Sequence, residues 1–191
     1  MDDELIAAYL AGDEEALPAL INHHLKPIYN FSYRLLGNAH DAQDCAQETF
    51  VKAWRNLKKY RHGKNFRTWL FAIARNTAID LLRKKKIYVF SDFSTRGGST
   101  LGGEDEENFL LDTLADTEPL PDELTLRRAD NRTIESALQK IPPQYREVLL
   151  LRYHHDITFD EISKILGKPL NTAKSHHRRG IIALRKLLNQ E

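Results

Sequence analysis

The residues from Ile157 to Leu188 restrict the fold of this chain more than any others, because their spacing describes two helices joined by a short turn. Thr158 and Glu161 stand at the T-x-x-E spacing of a capping box, and Ile157 and Ile162 are placed to form the hydrophobic staple around it. A helix is therefore predicted to start here. Phe159, Ile162, Ile165 and Leu166 fall on one face, Gly167 supplies the left-handed residue that ends such a helix, and Pro169 follows two positions on. Asn171 is placed to cap a second helix, whose inner side at about 100° per residue carries Ala173, Gly180, Ile181, Leu184 and Leu188. The same rotation leaves Lys174, Ser175, Arg178, Arg179 and Lys186 on the outside. This is a helix-turn-helix with a basic outer face, the shape that enters a duplex major groove and meets its phosphates. An ordinary amphipathic helix pair with a solvated charged face has the same pattern, so the rest of the chain has to decide between them.

Composition narrows the classes. With 41% hydrophobic and 29% charged residues, the 191-residue chain reads as one medium or two small soluble globular domains. No apolar run approaches the roughly 18 residues that span a bilayer, and the start Met1-Asp2-Asp3-Glu4 is acidic where a signal peptide is basic. A cytoplasmic protein with no membrane insertion is expected. One cysteine, Cys45, excludes an internal disulfide and a multi-cysteine zinc site. The net charge of +1 conceals a partition: Lys and Arg stand 14 against 10 Asp and Glu in residues 1–86, 1 against 10 in 87–126, and 13 against 7 in 127–191. Two basic blocks thus flank an acidic tether, an asymmetry that matters when the partner is a polyanion.

Along the chain, helices are predicted from Asp2 to Leu10 and from Asp13 to Leu36, separated at Gly12 and stopped at Gly37-Asn38, with Pro27 as a kink. His23 and His24 are adjacent, so their side chains point about 100° apart, and neither a carboxylate nor a cysteine stands at ligand spacing. From Asp41 to Leu57 an apolar stripe runs through Ala42, Cys45, Ala46, Phe50, Ala53, Trp54 and Leu57. The opposite face is acidic first, at Asp41, Asp44, Gln47 and Glu48, then basic at Lys52 and Arg55, an order that suits the helix dipole and also suits docking on a basic protein surface. A polar loop from Tyr60 to Asn65 precedes a helix from Phe66 to Lys86, where aromatics interleave with cations as in surfaces that grip unstacked bases; Trp54 and Trp69 are in phase with the core. Residues 87–126 lose helical periodicity and read as a flexible acidic linker, though Phe109, Leu110, Leu111 and Leu114 make it more apolar than a spacer needs. Helix resumes after Leu124 through Leu138, breaks at Ile141-Pro142-Pro143, and restarts with Pro143 in the first turn. His154-His155 and His176-His177 are again adjacent pairs, with His177 on the buried side of the last helix.

Together the blocks resemble a known family. Asp41-Ala42-Gln43-Asp44-Cys45-Ala46-Gln47-Glu48-Thr49-Phe50, with Phe66-Arg67-Thr68-Trp69-Leu70 and Ile73-Ala74-Arg75-Asn76 to Asp80, is similar to the second region of bacterial RNA polymerase sigma factors of the extracytoplasmic-function type. Ile141-Pro142-Pro143-Gln144-Tyr145-Arg146-Glu147-Val148, through Gly167 to Asn171-Thr172-Ala173-Lys174-Ser175, resembles their fourth region. The resemblance implies an all-α chain of two small helical domains joined by a flexible acidic linker: 1–86 for core polymerase and the minus-ten element, 87–126 as connector, and 127–191 as the helix-turn-helix for the minus-thirty-five element. It puts Asp41, Asp44, Gln47 and Glu48 at the clamp helices of the polymerase largest subunit. Lys52, Tyr60, Lys64, Phe66 and Asn76 are the implied readers of the melted minus-ten strand, with a base flipped into the loop, and Lys174, Ser175, Arg178 and Arg179 the implied contacts to the minus-thirty-five duplex. The implied partners are core RNA polymerase (clamp helices and flap), promoter DNA and an anti-sigma factor; no cofactor, no metal and no catalytic residue are expected. Three positions depart from the pattern: His177 and Cys45 replace aliphatic residues, and Gly180 replaces alanine at about 1 kcal/mol of helix propensity.

Two other classes compete. A helix-turn-helix regulator would bind duplex DNA unaided, with the N-terminal block as sensor or dimerisation domain. A metal-dependent enzyme would draw on the eight histidines, yet the sequence has no H-x-x-x-H helix, Walker loop or paired-carboxylate spacing.

Overall fold

The computed structural model describes residues 1–60, 65–94 and 131–189, and among the described residues all regular structure is helical. The N-terminal block contains α1 (Asp2–Leu10), α2 (Ala16–Leu36), α3 (Ala39–Asn56) with a short 3-10 turn (Leu57–Lys59), and α4 (Phe66–Ser94). The C-terminal block contains α5 (Asn131–Lys140), α6 (Pro143–Tyr153), α7 (Phe159–Leu166) and α8 (Leu170–Leu188).

Local chemistry sets the breaks. Asp13 does not open the second helix as its spacing predicts; its carboxylate accepts from the Glu15 amide at 3.1 Å and makes a turn ahead of Ala16. Gly37 ends α2 in the left-handed conformation, φ 72°, and Asn38 at once caps α3 by accepting from the amides of His40 and Asp41 at 2.8 and 3.1 Å. Helix α2 runs unbroken through Pro27. Helix α4 continues past the predicted end at Lys86 as far as Ser94, consistent with a sequence that has no glycine or proline before Gly97. The acidic stretch expected to begin at residue 87 is thus helical for its first eight residues, and positions 95–126 lie outside the described residues.

The core follows the predicted stripes with two corrections. Ala42, Cys45, Ala46, Ala53 and Leu57 are buried, but Trp54 is half exposed and donates its indole N–H to Tyr9 Oη at 2.7 Å. An indole with its polar edge so engaged sits at the rim, not in the middle. On α8 the buried imidazole is His176, edge-to-face with Tyr145; His177 is half-buried between Tyr153 and Phe159. His176 lies three residues after Ala173 and four before Gly180, both buried, which is the phase of that face.

The capping box forms in full: Thr158 Oγ1 accepts from the Glu161 amide at 3.3 Å while Glu161 Oε2 accepts from the Thr158 amide at 3.0 Å. Gly167, φ 62°, ends α7 as predicted. Helix α8 starts one residue before Asn171, and the Pro169 carbonyl, not an Asn171 side chain, anchors its first turn by accepting from Thr172 and Ala173. Beyond these details lies a larger finding. The two blocks, distinct in sequence, pack on each other, with α2 against α5 and α6, and α4 against α7.

Candidate nucleic-acid interface

Three charged surfaces and one seam define what this arrangement can do. On α3, Asp44, Gln47 and Glu48 are exposed along one side; Asp44 pairs with His40 at 3.3 Å and Glu48 with Lys52 at 2.9 Å, both within the helix. Such exposed pairs hold the carboxylates weakly and leave them free to exchange partners. Asp41 differs, since its carboxylate accepts from Lys85 of α4 and so ties the two helices together. On α8, Lys174 and Lys186 are exposed and Ser175, Arg178 and Arg179 half-buried, on the side opposite Ala173, Gly180, Ile181 and Leu184. The third surface is the outer side of α4, where Arg83, Lys84 and Lys85 are exposed.

The residues expected to read melted DNA are not all available here. Lys52 reaches from α3 to donate to Thr77 Oγ1 at 3.1 Å, and Asn76 is exposed, accepting from the Arg75 guanidinium at 3.2 Å. Tyr60 and Phe66 are buried, with ring centroids 5.4 Å apart at 89°, and Trp69 leans on both. Tyr60 also donates its hydroxyl to Asp3 at 3.2 Å; burial and that carboxylate push the phenol up to about 12. Lys64 lies outside the described residues.

Sequence reasoning missed the seam between the blocks. Glu147 of α6 is wholly buried, and Arg75 of α4 answers its charge with two bonds, Nε to Oε2 at 2.8 Å and Nη2 to Oε1 at 3.1 Å. Burial pushes the Glu147 carboxyl up, and Arg75 pulls it back. Arg146, also buried, donates to the Leu35 carbonyl at 2.8 Å, the Gln139 side chain and carbonyl at 2.6 Å each, and the Ile141 carbonyl at 2.9 Å. It therefore supplies a cation to the open C-terminal ends of both α2 and α5. At the start of α4, Asn65 and Thr68 donate to Glu161 Oε1 at 2.7 and 3.2 Å, and Arg67 donates to the His155 carbonyl at 2.6 Å. Two adjacent charges inside the apolar run Tyr145 to Leu151 were the available signal, because every residue of that run is buried and a charge there needs a partner.

The histidine pair of α2 gains a carboxylate that its local sequence lacks: Asp2, from α1, accepts or shares a proton with His24 Nε2 at 3.0 Å. Asp2, His23 and His24 present donor atoms within 4.8 Å of one another. Ligands on a tetrahedral zinc sit roughly 3.3 Å apart. The group is wider than that, His23 is exposed, and His24 already uses its nearer nitrogen, so the cluster fits a hydrogen bond fixing α1 to α2 better than an ion. No helix among the described residues is long and apolar enough to cross a membrane.

Comparison with known proteins matches this layout. Residues 20–87 match the family described as Sigma-70 region 2, and residues 131–184 match Sigma-70, region 4. The chain is 35% identical over 177 residues to the ECF RNA polymerase sigma factor SigW of Bacillus subtilis, covering 93% of this chain and 91% of that one. It is 31% identical over 188 residues to the RNA polymerase sigma-H factor of Pseudomonas aeruginosa, covering 98% and 93%. Its fold is similar to that of CnrH in a complex with the cytosolic domain of CnrY, with a TM-score of 0.68 at 23% identity over 100% of this chain and 98% of that one.

Proposed function

The chain belongs to the extracytoplasmic-function sigma factors of bacterial RNA polymerase, and from that premise we propose how its residues divide the work. As a sigma factor it binds core RNA polymerase and directs promoter recognition, strand opening and initiation. Residues 1–86 form the polymerase-docking and minus-ten module, 87–126 the connector, and 127–191 the minus-thirty-five module. Asp44, Gln47 and Glu48 dock on the basic clamp helices of the largest subunit. Asp41 contributes once Lys85 releases it, and until then braces α3 against α4. Lys52, Lys64 and Asn76 hold the melted strand, while Tyr60 and Phe66, whose rings pack edge to face, meet a base only when that packing gives way. Lys174, Ser175, Arg178 and Arg179 enter the upstream duplex, with base contacts setting specificity and phosphates most of the affinity. The protein carries no catalytic step of its own and works in the cytoplasm beside the polymerase, and an anti-sigma factor that covers both blocks restrains it.

One observation carries this reading: the two family matches fall in order on two helical blocks, and each block turns a charged face outward at the matched positions. The test is Asp44→Arg with Glu48→Arg. The double variant is expected to keep its helical spectrum and to lose co-purification with core polymerase; undiminished binding rejects the docking assignment.

A further inference from the structure

We infer that Asp3 is a positioning residue for capture of the melted strand, because it pins the Tyr60 ring by its hydroxyl. When an unstacked base comes in, Phe66 is the ring that yields and Tyr60 the one that stays to meet it. The inference rests on the assignment of Tyr60 and Phe66 as readers of that strand, and it gives α1 a part that the assignment leaves out.

The seating of α1 explains the hold. Asp2, Ile6 and Tyr9 share one side of the helix at helical spacing. Asp2 Oδ2 lies 3.0 Å from His24 Nε2, Ile6 is wholly buried, and Tyr9 Oη accepts from the Trp54 indole at 2.7 Å. Fastened in this way to α2 and α3, the first turn of α1 brings Asp3 to the residue that follows the 3-10 turn. Its Oδ1 accepts from the Tyr60 hydroxyl at 3.2 Å. Burial, with Asp3 beside it, pushes that phenol up to about 12, so the hydroxyl keeps its proton and stays a donor at neutral pH.

The two reader rings are held differently. Tyr60 is buried against Phe66 and Trp69, with both centroids 5.4 Å away, and it has the hydroxyl anchor as well. Phe66 has no polar group and rests on rings alone: Tyr60, His24 at 5.3 Å and Trp69 at 5.5 Å. Beside it Leu20, Ile21, Ala53 and Leu57 help to line an apolar hollow of about 20 Å³. Displacing Phe66 costs apolar contacts with free space at hand, whereas displacing Tyr60 also breaks a hydrogen bond to a carboxylate. The easier motion leaves the Tyr60 face standing where a base can stack on it, already ordered before the base arrives.

The experiment uses the full chain with core polymerase on a duplex that the wild type selects from a random library. A fluorescent adenine analogue in the non-template strand reports how fast bases unstack. Asp3→Leu removes the acceptor and should slow opening about fivefold, the worth of one hydrogen bond, with binding to core polymerase and to the upstream half of the duplex unchanged. Asp3→Asn keeps an acceptor oxygen and should restore most of the rate. Tyr60→Phe keeps the ring and removes the donor; it should match Asp3→Leu, and the double variant should be no slower than either single one. Tyr60→Phe carries the test if Asp3→Leu loses its helical spectrum. A folded Asp3→Leu that opens the duplex at the wild-type rate overturns the proposal. So does an Asp3→Asn as slow as Asp3→Leu, or a loss of polymerase binding as large as the loss of opening. Tyr60→Ala separates the proposal from the assignment beneath it. Slow opening by Tyr60→Ala beside normal opening by Asp3→Leu removes only the part given to Asp3, whereas wild-type opening by Tyr60→Ala removes Tyr60 as a reader.

Discussion

Arg146 offers the sharpest test of what holds this arrangement together, because a single side chain serves four acceptors on three segments. Replacing it with Met keeps the aliphatic stem and removes every donor. The Leu35 and Ile141 carbonyls and both Gln139 oxygens then lose a charged donor in a site that is 6% exposed at Arg146 itself. Hydrogen bonds to charged groups contribute roughly 1.5–3 kcal/mol each. Against that stands the burial of the guanidinium, which lowers its pKa to about 10 from 12.5, a penalty of roughly 3 kcal/mol. The bonds win: four of them at the low end of that range outweigh the burial penalty by about 3 kcal/mol, and that is the smallest net loss expected on substitution. For a chain of this length that lowers the melting midpoint by roughly 10 °C. Urea unfolding followed by circular dichroism measures it directly. Arg146→Lys should recover only a fraction, since an ammonium is one point charge and cannot fork to carbonyls on different helices. A loss below about 1 kcal/mol for Arg146→Met would refute the reasoning.

Other consequences follow from single residues. Gly37 needs its left-handed conformation, and an added Cβ would stand 2.7 Å from Gln139 Oε1, so Gly37→Ala should destabilise by about 1–2 kcal/mol and loosen α5 from α2; denaturant midpoints decide it. Thr158→Ala removes the cap of α7 and should cost about 1 kcal/mol, read by the same melts. His155 is buried against Phe31 and Phe71, and burial with help from Arg67, His154 and Arg34 lowers its pKa to about 4. The unfolded chain takes up that proton near pH 6.5 while the folded one resists it, so stability contributed by the neutral ring is full above pH 6.5 and is lost as pH falls toward 4. The loss reaches roughly 3 kcal/mol, and His155→Leu should flatten that limb of a plot of melting temperature against pH. Cys45 is buried beside Ser32 and the Ala74 carbonyl, and burial pushes its thiol up, so native alkylation should be far slower than in urea.

Much of this was legible from local chemistry. The capping box at Thr158, the left-handed Gly167 and the stripe through Ala42, Cys45, Ala46 and Ala53 are each written within a few residues of where they act. The cationic side of α8 follows from the same rotation that buries Ala173 and Leu184. What escaped depends on partners far along the chain. Trp54 is in phase with the core, yet its N–H finds Tyr9, 45 positions away, and this holds it at the rim. His24 meets Asp2 from another helix, and no spacing rule connects them. The seam is the extreme case, since Arg75 and Glu147 are 72 residues apart across a segment whose charge suggested separation. Periodicity assigns a residue to a face; it does not say which other face will cover it.

The central claim is that the chain directs core RNA polymerase to promoters, and run-off transcription on a random promoter library tests it most directly. Core enzyme supplemented with the chain is expected to start at a defined subset of sequences sharing upstream and downstream elements, while the chain alone selects no duplex from the same library. Equal transcription with and without the chain, or tight selection of a duplex by the chain unaided, would contradict the account.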